Sequence, residues 1–155
     1  ETVVMDRRAE DNRYLHREFH NYLNMWDEYV GTHFGQEAVE AYLRRFARNY
    51  YAPLIEAVRS EGLNALSAQI RETYRREEAE NNVQMALQKD SLHVSISACP
   101  AVAYLRAQGW TPSRWFGEST RVVMDEIGRQ TGFEFNMLRY DEATGAAEYA
   151  FAQKR

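Results

Sequence analysis

Cys99 is the residue whose type and position point most directly to chemistry. Proline is favoured at the first position of a helix, so the pair Cys99-Pro100 predicts that Cys99 is the N-cap of a short helix. Unpaired backbone amides and the positive end of the helix dipole favour the thiolate form of a cysteine in that position. The sequence therefore predicts a nucleophile here. The alternative is a buried thiol that packs as a small hydrophobic side chain.

A polar strand face is predicted just before this cysteine. The segment from Ser91 to Ala98 alternates between apolar and polar side chains, which is the period of a β-strand. A hairpin near the end of the chain is expected to pair with it and to add polar groups to the same face. Such a face beside a thiol would supply a base-assisted nucleophilic site, whereas the alternative is a sheet face open to water. The residues predicted on this face are His93, Ser95, Ser97, Glu134, Asn136 and Glu148.

Two histidines near the start of the chain form a second candidate site. His16 and His20 are one helical turn apart and are candidate metal ligands, with Asp27 or Glu28 as an additional carboxylate. The pattern is not that of the zinc proteases, in which glutamate directly follows the first histidine. A solvated helix edge explains the same spacing, and no metal or other cofactor is expected.

The elements that must position these residues change in type near residue 90. Apolar residues recur at helical spacing over residues 10–89, with a break near Ala52 because Pro53 removes a backbone donor. Residues 90–155 instead indicate a strand, two helices and a C-terminal hairpin whose strands run from Phe133 to Tyr140 and from Ala146 to Ala152. The prediction is one α+β domain, with a helical N-terminal half followed by a small antiparallel sheet.

Composition excludes several classes of function. The chain has 155 residues, a formal charge of −4 and scattered Lys and Arg, and it lacks the basic patch of a nucleic-acid-binding protein. It contains no apolar run near the roughly 20 residues that cross a bilayer. A single cysteine excludes an intramolecular disulfide, so the expected compartment is the cytoplasm. Nucleotide-binding glycine loops and multi-cysteine metal motifs are absent from the sequence.

The stretch from Leu92 to Phe151 resembles one known family. The Cys99-Pro100 step, the turn region from Gly109 to Trp115 and the final strand pair are similar to the L-2-amino-thiazoline-4-carboxylic acid hydrolase-like proteins. The resemblance implies a cytoplasmic bacterial hydrolase that opens a small cyclic amidine at a carbon–nitrogen bond. Members commonly carry further cysteines before the hairpin and in the last strand. Here those stretches are Trp115-Phe-Gly-Glu and Gly145-Ala-Ala-Glu-Tyr, and neither contains cysteine.

The expected function is therefore hydrolysis of a carbon–nitrogen bond in a small molecule. In this hypothesis Cys99 attacks the amidine carbon, His93 or Glu134 transfers the proton, and Trp110 and Trp115 line an apolar pocket. Of these residues, only Cys99 follows from the resemblance. Two alternatives remain open: a ligand-binding or sensor module without turnover, and a helical protein that forms a homodimer through a face rich in Tyr and Phe.

Overall fold

The computed structural model describes residues 13–154, with side chains from residue 17 onwards. The fold is α+β, as the sequence predicts: helices come first, and a four-stranded antiparallel sheet follows. The helices are α1 (Arg13–Phe34), α2 (Gln36–Tyr50), α3 (Ala52–Glu61), α4 (Leu63–Arg76), α5 (Pro100–Ala107) and α6 (Phe116–Thr131), and a short 3₁₀ turn spans Glu80–Asn82. The strands are β1 (Val83–Leu87), β2 (Ser91–Ile96), β3 (Phe133–Tyr140) and β4 (Ala147–Gln153).

Local signals in the sequence explain most of the helix boundaries. The predicted break at Pro53 is confirmed, because α2 ends at Tyr50 and proline occupies the first turn of α3, where its missing N–H costs no helical hydrogen bond. Gly132 ends α6 with a left-handed backbone (φ 83°), a conformation that glycine adopts without strain. Cys99 is the N-cap residue of α5, with Pro100 in the first turn, as predicted.

The helical segment is shorter than predicted. Residues 83–87 were expected to continue a helix to about residue 89, but they form β1, the edge strand paired with β2. Val83, Ala86 and Leu87 happen to lie at helical spacing, and the strand is too exposed to show a clear alternation. The cap-then-proline pattern of Thr111-Pro112 predicts a helix start, but helix α6 begins only at Phe116.

The sheet has one buried face and one open face. The strand order is β1-β2-β4-β3, and both central strands turn large apolar side chains toward the helices. Leu92 and Val94 of β2 and Tyr149 and Phe151 of β4 are buried there. Their core is continuous with residues of α2, α3, α4 and α6, so the helices cover one side of the sheet. None of the described helices has the length and apolarity needed to cross a membrane.

Candidate functional site

Cys99 lies at the junction between the sheet and α5. Its backbone is extended (φ −84°, ψ 123°), and its N–H donates to the carbonyl of Thr144 in the β3–β4 turn at 3.0 Å. Its own carbonyl accepts from the N–H of Ala103 in the first turn of α5 at 3.0 Å. These two bonds fix the cysteine between the hairpin turn and the helix N-terminus.

Opposing effects act on the thiol of Cys99. Burial raises its pKa above the ordinary value, although the backbone amides of Val102 and Ala101 at the start of α5 favour the thiolate. The nearby charge of Glu77 raises the pKa further. The sequence predicted the helix N-terminus and left a buried thiol as the alternative, and burial has the larger effect on the pKa. At neutral pH the group is therefore a thiol, and its use as a nucleophile requires a base.

The charge of a Cys99 thiolate acts on three tyrosines. Burial raises the pKa of Tyr140 to about 12 and raises those of Tyr74 and Tyr149 as well, and the charge of a Cys99 thiolate adds to the shift of all three. Their hydroxyl groups are consequently neutral at physiological pH. A neutral phenol hydroxyl can donate a hydrogen bond to a negative charge.

A buried carboxylate–imidazole pair lies on the helical side of Cys99. Oε1 of Glu77, just beyond α4, is 2.7 Å from Nε2 of His20 on α1, and the Glu77 side chain is only 4% exposed. The ring of His20 is 6.4 Å from that of Tyr104, whose hydroxyl donates to Glu18 at 2.8 Å. Because its charge acts on Cys99, Glu77 links the histidine to the thiol electrostatically.

The stretches Trp115–Glu118 and Gly145–Tyr149 both approach this region. A Cβ atom added at Gly145 would overlap Cβ of Cys99, and one added at Gly117 would lie 2.6 Å from Cε1 of Tyr140. Tyr140 in turn pairs with Ala147 in the sheet register. Cys99, the start of α6 and the start of β4 therefore meet around Tyr140.

Comparison of the chain with protein-family models, with curated proteins and with solved structures finds no match.

The polar strand face lies on the other side of the sheet from Cys99. Nε2 of His93 is 3.1 Å from Oε1 of Glu148, and both side chains are partly exposed. Glu148 alternates with Tyr149, whose ring is buried near Cys99, so the β4 backbone separates the carboxylate from the thiol. The structure thus brings His93 and Glu148 together but does not bring either to Cys99. Ser95, Glu134 and Asn136 occupy the same open face.

The remaining predicted binding residues are scattered. Ser97 is exposed, and its hydroxyl donates to the carbonyl of Asn82 at 3.4 Å. Trp110 is exposed in the loop after α5. Trp115 is buried against Gly31 of α1, and the guanidinium of Arg114 lies 3.9 Å from its ring centroid. The predicted tryptophan pocket around Cys99 is therefore not present in this arrangement.

His20, one of the two histidines predicted as metal ligands, contacts a carboxylate. His20 binds Glu77, and the side chain of His16 lies outside the described residues. Glu28 accepts hydrogen bonds from Thr32 and Ser113. No group of three potential metal ligands occurs among the side chains that the structure describes.

Asp27 is a further functional candidate, which the sequence predicted only as an additional metal ligand. It is fully buried on α1, and neither carboxylate oxygen has a hydrogen-bond partner among the described residues. Burial raises its pKa to about 7, and the charge of Glu118 contributes. Its position midway between the apolar residues Leu23 and Val30, at helical spacing, is the sequence signal that places it on the buried face. Leu23, one helical turn before Asp27, packs against the buried cluster that includes Phe116, as does Cys99.

Proposed function

We propose that the protein hydrolyses a carbon–nitrogen bond of a small cyclic amidine or amide, with Cys99 as the nucleophile. The observation that carries the proposal is the position of the half-buried Cys99 at the start of α5, where the backbone amides of Ala101 and Val102 favour its thiolate and the charge of Glu77 acts on the thiol. A thiol with donors for a developing anion and a nearby acid–base pair has the components of nucleophilic catalysis. The resemblance of Leu92–Phe151 supports the same substrate class.

The proposal assigns the proton transfer to the pair of His20 and Glu77 rather than to His93 or Glu134. The pair takes the thiol proton as sulfur adds to the amidine or amide carbon. The tetrahedral adduct then collapses, the carbon–nitrogen bond breaks, and the leaving nitrogen receives the proton. Water attacks the remaining thioester or thioimidate, the carbon–sulfur bond breaks, and the Cys99 thiol is restored. The tyrosine hydroxyls would stabilise the charge of the adduct.

The composition of the chain and its free thiol bear on the partners and the compartment that we propose. A small-molecule substrate, no resident cofactor and no nucleic-acid partner are in accord with the net charge of −4 and the composition. A free thiol that must stay reduced is suited to the bacterial cytoplasm, the compartment we propose.

Glu77→Gln tests this arrangement because its two expected effects have opposite signs. Loss of the negative charge lowers the pKa of Cys99, so iodoacetamide should alkylate the thiol faster at pH 7 than in the unsubstituted protein. Loss of the base should slow hydrolysis of 2-aminothiazoline-4-carboxylate or related cyclic amidines by about 100-fold. Mass spectrometry and a substrate panel measure the two rates.

Two histidine variants distinguish a site built on His20 beside Cys99 from a site on the open sheet face that contains His93. His20→Gln should reduce hydrolysis and His93→Gln should leave it unchanged, because the sheet separates His93 from Cys99. The reverse result would favour the polar outer face as the catalytic site. Full hydrolytic activity in Cys99→Ala would exclude the nucleophile.

A ligand-binding module without turnover is the second candidate. The raised pKa of Cys99 favours it, because a protonated, buried thiol is a poor nucleophile without efficient base assistance. In this case Cys99→Ala retains calorimetric binding of a cyclic amidine, and neither protein converts it.

A further inference from the structure

Helices α1 and α2 present a broad aromatic surface to solvent. Tyr22 is 66% exposed and Met25 is 51% exposed, and Trp26, Tyr29, Phe34 and Tyr50 are also among the exposed side chains. These six make up most of the exposed large hydrophobic side chains in the part of the chain that the structure describes. We define the aromatic face as Phe19, Tyr22, Met25, Trp26, Tyr29 and Phe34 of α1 with Tyr42, Phe46 and Tyr50 of α2.

Ring contacts make this surface continuous. Trp26 of α1 lies 5.6 Å from Tyr42 of α2, and Phe19 lies 6.2 Å from Phe46, measured between ring centroids. Phe46 also stacks on Tyr50 at 5.1 Å. The rings are therefore ordered by one another across two helices, and binding a partner would cost little additional side-chain entropy.

The spacing within α1 explains how the surface arises. Positions 19, 22, 26 and 29 recur every three or four residues, and Met25 fills the outer edge between Tyr22 and Tyr29. No charged side chain interrupts this part of the stripe. The opposite side of α1 carries Val30 and the buried Asp27 toward the core, so the helix has two apolar sides and only one of them is covered.

The area of the aromatic face is suited to a protein interface. An aromatic side chain has about 200 Å² of surface, and six side chains exposed by about half leave about 600 Å². The largest apolar patch of a monomeric protein is usually about 300–600 Å², whereas a stable interface buries about 800 Å² on each partner. A modest polar rim would supply the difference.

We propose that the occupant of the aromatic face is a second copy of this chain, paired about a two-fold axis. Such an interface brings the same patch against itself, and aromatic rings are self-complementary because the edge of one ring attracts the face of another. A regular stripe on the 22-residue helix α1 also lets two such helices interdigitate. A membrane surface fits less well, because α1 is not rich in Lys and Arg and the chain has a net charge of −4.

Light scattering coupled to gel filtration tests the proposal with the full chain. Between about 1 and about 100 µM the apparent mass should rise toward twice the 18.1 kDa of one chain. The double variant Tyr22→Glu/Met25→Glu should raise the dissociation constant by about thirtyfold or more, because it places charges in the centre of the interface. Both side chains are solvent-exposed in the single chain, so its fold should be retained.

Leu138→Glu is the matched control. Leu138 is 57% exposed at the bulge in β3 and is not part of the aromatic face. Its substitution should therefore leave the dimer intact. The single variants Tyr22→Glu and Met25→Glu repeat the test should the double variant fail to fold. A wild-type protein that stays monomeric over the whole range would overturn the proposal, and so would a dimer that the glutamates at 22 and 25 leave unchanged.

Discussion

Asp27 shows how one side chain can make the whole fold sensitive to pH. A carboxyl group without hydrogen-bond partners is far more stable inside a protein when it is protonated. Its pKa is raised from 3.8 to about 7, so the folded form holds a proton that the unfolded form has lost. The stabilisation is complete below about pH 4 and disappears as the pH rises through 7, a loss of about 4 kcal/mol.

Asp27→Asn should remove this pH dependence. The amide has the same shape and no charge, so at pH 8 the variant should have a free energy of unfolding about 2–4 kcal/mol higher than the wild type. At pH 4 the two proteins should be nearly equal. Urea denaturation at both values measures the difference. Glu28→Gln, the same kind of change at the adjacent exposed carboxylate, is the matched control. Equal stabilities at pH 8 would show that Asp27 ionises without cost.

Cys99 illustrates what sequence can and cannot provide at the same scale. Its place at the start of α5 follows from the local Cys99-Pro100 signal and was predicted correctly. Its partners come from far along the chain: Tyr74 and Glu77 lie more than twenty residues before it, and Tyr149 lies fifty residues after it. No local period encodes those contacts, so the site around the thiol could not be predicted.

At the scale of the elements, the alternation along the strands predicted which residues share a sheet face but not where Cys99 lies. It correctly grouped His93 with Glu148, because alternate residues of paired strands share a face. It could not indicate that Cys99, three residues beyond the last buried position of β2, turns toward the helices instead. The edge strand β1 was missed for a related reason: its half-exposed residues lack the alternation that identifies β2.

A network of charged side chains joins α2 and α6, and its central group, the carboxylate of Glu126, is buried. Glu126 is 3% exposed and accepts from Arg44 at 3.0 Å, Arg48 at 2.9 Å and Gln130 at 2.9 Å. Burial raises the pKa of Glu126, but the hydrogen bonds from Gln130, Arg48 and Arg44 outweigh it and hold the pKa below the ordinary value. The carboxylate therefore stabilises the fold at neutral pH, and that contribution is lost as the pH falls through its pKa.

Glu126→Gln should therefore destabilise the contact between these helices. We expect a loss of about 1–3 kcal/mol in the free energy of unfolding at pH 7, because hydrogen bonds to a charged group are replaced by weaker ones. Asp125→Asn removes the other carboxylate on Arg44, which is more exposed, and should cost less than about 1 kcal/mol. Chemical denaturation at pH 7 and pH 3 compares them. Equal losses at pH 7, or a Glu126 effect at pH 3 that is no smaller than at pH 7, would contradict this account.

At the scale of the molecule, the sequence divides near residue 90 but the core does not. Val39 and Leu43 of α2, Leu66 of α4 and Phe151 of β4 belong to one buried cluster. The helices before β1 thus bury their apolar sides on the sheet, and neither half can keep its core without the other. This continuity argues for a single cooperative unit, in which the inner site around Cys99 forms only when the last strand has docked.

Hydrogen exchange and denaturation of the full chain test this cooperativity. The amides of α2 and those of β2 and β4 should exchange with the same free energy of opening, and that value should equal the global free energy of unfolding. Far-UV circular dichroism, which reports mainly on the helices, should show one unfolding transition, and its midpoint should fall at the same urea concentration as the midpoint of sheet unfolding. Two separated transitions, or a helical half that opens well below the sheet, would instead indicate two independent units. Because Cys99 receives groups from both halves, its protection from alkylation should disappear in the same transition, and this gives an independent third measurement.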